Sequence, residues 1–405
     1  MQPRHGVRAR ALAGAIAAVV LTAAIAAFGA FTWWRSIQPS PTPTPRVPYS
    51  LSACRAFEEP VGAEGYRTAA SMALDPWLRG ADVGVSARLA DGRMLWAFGD
   101  TFRSPDGRST TAVRNSMLMA GQGCRRVVLA PDGRAVIPDR PDGVGYWPMS
   151  MVVLPADEGS LVHVFAERVR GSEQAFAFTN LGPAVATYVI PSGEPPELIS
   201  VTDLGEDSPS RATVGWGAAT AHGDDGYVYI FGTANPDQPL VFGWSVRVAR
   251  AEPTDLVDPG SWEYWTGGEW STSPDAAAPV IAAEGGVSQT FSVIARDGQW
   301  YAISKRDGDL GTDLAVWSAS FPWGPFSAPV SVGRIPNDTD PSILRYMPLA
   351  HPDARQSGPG RMLVSVSRNS LDPLVLANFP RLYRPFFVDI ELPPQPSERD
   401  LDPRG

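Results

Sequence analysis

Residues 81–102 read ADVGVSARLADGRMLWAFGDTF, and this stretch decides the fold. Two β-prone runs, residues 83–89 and 93–98, lie on either side of the tight-turn sequence Ala-Asp-Gly at residues 90–92. The pattern predicts a β-hairpin that folds back on itself about Asp91.

Similar hairpins recur along the chain at a near-constant spacing. Each combines a strand of small or apolar residues, a polar turn rich in Asp and Gly, and a strongly β-prone strand. A regular repeat of short strands is typical of a β-propeller. Because we find no sustained helical periodicity after the N-terminal apolar run, we predict an all-β, five-bladed β-propeller, with a β-sandwich as the alternative. The five hairpins begin at Gly84, Pro148, Trp216, Ser288 and Tyr346.

The first fifty residues predict a membrane anchor and a spacer. Residues 1–10 are basic, residues 11–34 are uncharged and mostly apolar, and residues 35–50 are rich in proline. The apolar run is long enough to cross a bilayer as one transmembrane helix, with a cytoplasmic N-terminus. We expect a single-pass protein of the cell membrane with its C-terminal domain outside, or a secreted protein if the apolar run is a cleaved signal peptide. The propeller should occupy residues 51–393 and be followed by a disordered tail, residues 394–405.

Charge and cysteine content narrow the possible functions. The net charge of −9 argues against a nucleic-acid partner. Cys54 and Cys124 are the only cysteines, and in an exported protein such a pair is expected to form a disulfide, with two free thiols as the alternative. His163, His222 and His351 show no metal-ligand spacing, and no phosphate-binding loop is present. We therefore expect neither a metal nor a cofactor.

Asp82 and Asp100 are the leading catalytic candidates. A hairpin folded about Asp91 places them side by side, and directly opposite side chains lie roughly 5 Å apart at Cβ. Two carboxylates this close cannot both ionise freely, so the pKa of one should rise. Such a pair can supply an acid together with a base or nucleophile. The alternative is that both aspartates only cap turns at strand ends.

Further polar and aromatic residues fall at the same end of the predicted hairpins. An antiparallel hairpin returns to the end where it started, so these side chains should meet around one end of the propeller axis. Aromatic faces beside carboxylates and amides suit a carbohydrate. His222 and His351 fall at the opposite, turn end, which argues against their participation in catalysis. We predict substrate contacts from Arg114, Asn115, Trp147, Glu167, Trp216, Gln289, Asp313, Tyr346, Arg368 and Asn369, with Glu167 and Asp313 as alternative general acids.

Several of these residues have an equally plausible structural role. Trp147 and Trp216 are also typical of packing between blades. Arg114 and Asn115 are as consistent with hydrogen bonds to loop carbonyls as with ligand contact. Glu167 is also consistent with a strand-end ion pair.

The sequence LADGRMLWAFGDTF at residues 89–102, followed by RNSMLM at 114–119, resembles a family of actinobacterial five-bladed propellers. That family was long classed as a domain of unknown function and includes endo-D-arabinanases. The resemblance covers roughly residues 53–392. It implies cleavage inside the D-arabinan of arabinogalactan or lipoarabinomannan, a cell-wall polysaccharide partner, and a catalytic aspartate pair that matches Asp82 and Asp100.

Two other functions are compatible with the same sequence. A membrane-tethered propeller could bind cell-wall glycan, or a protein partner, without cutting it. A glycosidase or lyase for a different envelope sugar is the other alternative. A binding module has no need for two crowded carboxylates, so the aspartate pair favours an enzyme.

Overall fold

The computed structural model describes residues 46–71, 75–171, 177–335 and 343–394. Their strands form five antiparallel sheets, and the prediction of an all-β propeller is confirmed. Four of these sheets have at least the four strands of a standard propeller blade, whereas the last has three among the described residues. The five predicted hairpins all form, but the described residues give four complete blades rather than the predicted five.

The first sheet carries the hairpin predicted about Asp91. Arg88 pairs with Met94 and Gly80 pairs with Phe102, so the predicted register is confirmed. The first part of the chain contains β1 (Val47–Pro48), β2 (Ser50–Leu51), β3 (Arg55–Ala56), α1 (Gly62–Ser71), β4 (Gly80–Arg88), β5 (Met94–Arg103), β6 (Thr111–Val113), β7 (Ser116–Gly121) and β8 (Cys124–Leu129). In the first sheet the strand order is β2-β8-β7-β5-β4, with β3 paired to β8 and β6 paired to β5, while β1 joins the second sheet.

The second and third sheets follow in chain order. The second has the order β1-β12-β11-β10-β9 and contains β9 (Gly145–Ala156), β10 (Gly159–Gly171), β11 (Phe178–Pro191) and β12 (Glu197–Asp203). The third has the order β13-β14-β15-β16-β17 and contains β13 (Gly215–His222), β14 (Val228–Ala234), β15 (Ser245–Ala251), β16 (Glu263–Trp265) and β17 (Trp270–Ser271). Two 3₁₀ turns, η1 (Pro259–Ser261) and η2 (Pro274–Ala276), lie in its outer part.

The fourth and fifth sheets complete the described strands. The fourth comprises β18 (Ser292–Arg296), β19 (Gln299–Lys305), β20 (Asp313–Ala319) and β21 (Val330–Arg334), with the 3₁₀ turn η3 (Gly308–Leu310) between β19 and β20. The fifth comprises β22 (Ile343–Ala350), β23 (Arg361–Ser370) and β24 (Phe386–Glu391). A short helix, α2 (Pro373–Asn378), and the 3₁₀ turn η4 (Pro380–Leu382) connect β23 to β24.

Hydrogen bonds between neighbouring sheets show that the five sheets form a closed ring. Each sheet contacts the next one along the chain, and the fifth contacts the first. Five hydrophobic clusters fill the five spaces between adjacent sheets. The connecting bonds are Ala90 N to Ser160 Oγ, Ser150 Oγ to Gly217 O, Phe291 N to Ala218 O, Ala350 N to Ser292 Oγ, and Val83 N to Ser367 Oγ.

The predicted disulfide joins the segment that precedes β4, here called the N-terminal strap (residues 46–71), to β8 of the first sheet. Cys54 and Cys124 are bonded, with their Cα atoms 5.4 Å apart. Their separation of 70 residues closes a long loop, which should stabilise the fold by about 4 kcal/mol through the unfolded state. The same strap contains α1, which packs Ala63 and Tyr66 against the first and fifth sheets.

Two short helices, α1 and α2, lie within the otherwise all-β fold, although no sustained helical periodicity marks them in the sequence. Both are short, and α1 contains two glycines, so neither shows a clear apolar period. Among the described residues, no helix is long and apolar enough to cross a membrane. The predicted anchor at residues 11–34, its basic flank and most of the spacer lie outside the described residues, as does nearly all of the predicted tail.

Candidate active site

Asp82 lies where the first strand of the first sheet departs from regular pairing. Ala81 pairs with Thr101 and Val83 pairs with Phe98, so the register shifts on both sides of Val83. Asp82 lies in this irregular part, with its carboxyl beside Gly99 and close enough to Asp100 for their charges to interact. Val83 has a φ of 62°, which is rare for a β-branched residue. A β-bulge re-aims the side chains beside it, and backbone strain of this kind is typical of functional sites.

A glycine lets the Asp82 carboxyl approach the second strand. A Cβ atom on Gly99 would lie 2.4 Å from Asp82 Oδ1, which is too close for any side chain. Thr101, two residues further on, donates to the Gly99 carbonyl at 2.9 Å and shares a 2.7 Å hydrogen bond with Ser116 Oγ. The Gly-Asp-Thr sequence thus provides space for one carboxyl, supplies the second and locks the strand end.

Two tyrosines from the fifth sheet surround Asp82. The Tyr346 hydroxyl donates to Asp82 Oδ2 at 2.6 Å, and Asn369 Nδ2 donates to the Tyr346 oxygen at 3.4 Å. Burial, followed by the nearby charge of Asp100, raises the pKa of Asp82 to about 7, although hydrogen bonds from Tyr346 and Tyr383 act in the opposite direction. Near neutral pH, Asp82 can therefore hold or release a proton.

Asp100 occupies a different environment. Trp147 Nε1 donates to Asp100 Oδ1 at 3.0 Å. Burial raises the pKa of Asp100, while the Trp147 hydrogen bond and the positive charge of Arg114 lower it. Asp100 thus has one donor and one cation that favour its ionised form, against its burial and the negative charge of Asp139, and Asp82 has the more strongly raised pKa. This asymmetry suits one acid and one carboxylate.

An aromatic pair adjoins Asp100. The rings of Trp147 and Phe178 meet edge to face, with centroids 4.7 Å apart. Phe178 remains 49% exposed, so one large apolar ring faces solvent beside the carboxyl pair. The CH faces of a sugar could stack on such a surface.

Glu167 lies at the same axial end, directly opposite Trp147 in the pairing of β9 with β10. Its side chain is buried, and its Oε1 accepts a hydrogen bond from Gly182 N at 2.9 Å. Burial raises the pKa of Glu167 to about 7. The neighbouring Arg168 turns away to bond Asp207 at 2.8 Å, so the expected strand-end ion pair is not formed with Glu167.

Gln289 completes the polar lining between the second, third and fourth sheets. Asn180 Nδ2 donates to Gln289 Oε1 at 3.0 Å, and Thr233 Oγ1 donates to the Gln289 backbone oxygen at 2.8 Å. Together with Glu167, these groups line one small pocket. The structure therefore brings together Asp82, Asp100, Arg114, Trp147, Glu167, Gln289, Tyr346 and Asn369.

Asn115 and Trp216 are corrections to the predicted substrate contacts. Asn115 is fully buried, and its amide bonds the backbone of Ile137 and Tyr146 through three hydrogen bonds of 2.7–3.0 Å. Trp216 is 8% exposed and packs against the rings of Trp262 and Tyr264. Both side chains support the scaffold, which is the alternative that the sequence left open.

Asp313 and Arg368 are also engaged elsewhere. Asp313 forms an ion pair with Arg306 at 2.9 Å, at the beginning of the third strand of the fourth sheet. Arg368 Nε donates to the Arg384 carbonyl at 3.2 Å, and its guanidinium lies 5.6 Å from the centre of the Phe386 ring. These contacts tie Asp313 to the fourth sheet, and Arg368 to the outer strand β24 and to the segment that precedes it.

Sequence reasoning missed three residues at this end. Tyr383 lies after α2, where no strand-end pattern marks it, although its hydroxyl affects the pKa of Asp82. Phe178 and Asn180 lie at the beginning of β11, where that strand starts to pair with β10. Only the alternation of side chains along β11 could have drawn attention to them. Strand alternation alone does not show which face is turned to the axis.

Histidines and metal sites contribute nothing to this arrangement. His163 and His351 are buried away from the aspartates, and burial lowers their pKa values to about 4 and about 3. Within the described residues, no group of three or more His, Cys, Asp or Glu side chains could hold a metal ion.

Residues 74–392 match the family model described as "Domain of unknown function (DUF5005)". The chain belongs to this family. The match covers most of the sequence, including both aspartates and all five hairpins, whereas the endo-D-arabinanase grouping expected from the sequence is not part of that description. No curated protein matches the chain.

Solved structures extend the similarity in fold. A protein of Bacteroides ovatus ATCC 8483, provisionally described as a hydrolase, shares 19% identity over 84% of this chain and 93% of that chain, with a TM-score of 0.62. At this identity the similarity shows the fold alone. Two other solved structures match less well. The catalytic domain of the Coprinopsis cinerea GH62 alpha-L-arabinofuranosidase shares 10% identity over 86% of this chain and 98% of that chain, with a TM-score of 0.43. Bacillus subtilis levansucrase shares 12% identity over 81% of this chain and 88% of that chain, with a TM-score of 0.47, and neither match supports a conclusion about this chain.

Proposed function

We propose that this protein is a glycoside hydrolase whose active site is the aspartate pair of the first sheet. The observation that carries the proposal is the environment of Asp82 and Asp100. Two partly buried carboxyls on one hairpin interact electrostatically, and the pKa of Asp82 is raised to about 7. An exposed aromatic ring, Phe178, packs against Trp147, which donates to Asp100. Two carboxyls with unequal proton affinity are what acid-assisted cleavage of a glycosidic bond requires.

In the proposed mechanism, Asp82 is the general acid. Its proton passes to the leaving sugar oxygen as the bond between that oxygen and the anomeric carbon breaks. Asp100, whose ionised form is favoured by Trp147 and Arg114, either removes a proton from the attacking water or attacks the anomeric carbon itself. In the second route, water then hydrolyses the bond between Asp100 and the sugar, with Asp82 accepting the proton of that water. Tyr346 holds the Asp82 carboxyl in place. Analysis of the anomeric configuration of the first product distinguishes the two routes.

For the substrate, we propose D-arabinan of arabinogalactan or lipoarabinomannan, cut within the chain. This assignment rests on the resemblance of residues 89–102 and 114–119 to endo-D-arabinanases. It is compatible with the proposed location outside a cell membrane, held there by residues 11–34. The neutral, hydroxyl-rich character of arabinan also suits a site that combines carboxyls, amides and aromatic rings.

The test is to incubate the full-length protein with purified arabinogalactan and to separate the released oligosaccharides by chromatography. Asp82→Asn and Asp100→Asn should each abolish release. Asp224→Asn, which alters an exposed carboxyl at the turn end of the third sheet, is the matched control and should release the parent's products. If the parent releases nothing but is retained on immobilised arabinan, the protein is a binding propeller and the catalytic proposal fails.

A further inference from the structure

The small polar pocket lined by Glu167 and Gln289 lies at the same axial end, between the second, third and fourth sheets. Its volume is about 40 Å³, and its lining includes Glu167, Asn180, Gly215, Thr233, Gln289 and Arg211. A water-sized group needs about 10–15 Å³, so the pocket has room for about three such groups. It can therefore admit a hydroxyl or hydroxymethyl substituent, but not an entire sugar ring.

One polar atom in this pocket has no bonding partner. Asn180 donates through Nδ2 to Gln289, but its Oδ1 is buried and accepts no hydrogen bond within the described structure. Buried side-chain oxygens are nearly always satisfied, and an exception calls for an explanation such as a bound ligand. A sugar hydroxyl would supply the missing donor.

The pocket contains further groups that suit a neutral, hydroxyl-rich ligand. Gly215 lines the pocket beside Glu167, and a Cβ there would come into ordinary contact with Glu167 Oε2, at 3.7 Å. Arg211 lies at the exposed edge of the pocket, with its guanidinium 5.0 Å from the centre of the buried Trp244 ring. The pocket thus presents a carboxyl, an amide oxygen and, at its edge, a cation.

The pocket is linked to the aspartate pair through a single residue. Glu167 lies directly opposite Trp147, which is a separation of roughly 5 Å at Cβ. Trp147 in turn donates to Asp100. A short oligosaccharide that has one residue at Asp100 can therefore extend across Trp147 to the pocket.

We propose that this pocket is a distal sugar subsite, in which Asn180 Oδ1 accepts a hydrogen bond from a hydroxyl of a sugar residue beyond the cleavage point. The subsite makes the protein select for chain length, because only an oligosaccharide long enough to span Trp147 reaches it. The inference rests on the proposed function and adds a binding determinant to it.

Chain-length dependence of binding tests the inference. The inactive Asp100→Asn protein is titrated by calorimetry with linear arabino-oligosaccharides of increasing length, with and without Asn180→Ala. One hydrogen bond corresponds to a loss of up to about tenfold in affinity. We expect that loss for the longer oligosaccharides and a clearly smaller one for the disaccharide. Asn180→Asp, which keeps an acceptor oxygen, should recover part of the affinity.

Two further variants separate the subsite from effects on folding. Thr179→Ala alters the exposed neighbouring position on β11 and should leave the length dependence as in the parent. Arg211 lies at the exposed edge of the pocket. Arg211→Gln should weaken the binding of the longer oligosaccharides while the melting temperature stays near that of the parent. An equal loss at every length, or no loss for Asn180→Ala, would overturn the subsite while the proposed function stands. If the parent neither cleaves arabinan nor binds any oligosaccharide, the proposed function fails and the subsite fails with it.

Discussion

Replacing Tyr346 by Phe removes the hydrogen bond to the proposed acid, together with the longer 3.4 Å bond that the Tyr346 oxygen accepts from Asn369. The hydroxyl of Tyr346 lies 2.6 Å from Asp82 Oδ2 and stabilises the ionised carboxylate. A hydrogen bond to a charged group contributes about 1.5–3 kcal/mol, and one pKa unit corresponds to 1.36 kcal/mol. Since Tyr383 still contacts the carboxyl, we expect the lower end of this range, so the pKa of Asp82 should rise by about one unit.

The assay is the pH dependence of kcat/KM on a soluble oligosaccharide. A general acid must be protonated, so activity falls as the pH rises through its pKa. The wild-type alkaline limb should lie near pH 7, because the pKa of Asp82 is about 7. In Tyr346→Phe the limb should move to higher pH by about one unit. Tyr227→Phe, at the turn end of the third sheet, is the control and should leave the limb in place.

The direction of the change is decisive. If Asp82 were the base, it would have to be ionised, and the same rise in its pKa would move the acidic limb instead. A shift of the acidic limb in Tyr346→Phe would therefore exchange the two roles and refute the assignment of Asp82 as the acid. An unchanged profile would show that the Tyr346 hydroxyl does not control the proton on Asp82.

Three other changes follow from the same contacts. Gly99→Ala should lower kcat at least tenfold, because its Cβ would displace the Asp82 carboxyl. Circular dichroism should show that the variant is still folded, and wild-type activity would contradict the prediction. Phe178→Ala should raise KM severalfold and change kcat little in steady-state kinetics, because it removes an exposed ring beside the site; a fall in kcat alone would assign the ring another role. Replacing Cys54 and Cys124 by Ser should lower the free energy of unfolding by about 2–4 kcal/mol in urea titrations without changing the pH profile.

The hairpin register could be predicted because it depends on local sequence. The turn at residues 90–92 and the alternation on either side specify which residues face each other, and the pairing of Gly80 with Phe102 follows. That Asp82 and Asp100 lie close together is thus predictable from residues 81–102 alone. The irregular pairing around Val83 is not, since nothing in the sequence marks a β-branched residue with positive φ.

The partners of the pair could not be predicted, because they come from distant parts of the chain. Tyr346 and Tyr383 reach Asp82 only because the fifth sheet closes on the first. Trp216 was misassigned for a related reason. The chain after β15, including β16, supplies Trp262 and Tyr264, which cover its ring, and the strand-end position alone does not reveal them.

Closure of the ring is also what makes the two aspartates unequal. One hairpin would expose Asp82 and Asp100 to the same solvent and leave them with similar proton affinities. In the folded protein the fifth sheet covers Asp82 with tyrosines, whereas the second sheet gives Asp100 an indole donor from Trp147. Burial raises the pKa of Asp82, although the hydroxyl groups of Tyr346 and Tyr383 hydrogen-bond to its carboxylate. Arg114 favours the negative charge on Asp100. The division into acid and carboxylate is therefore a property of the closed propeller, supplied by the two sheets that flank the hairpin.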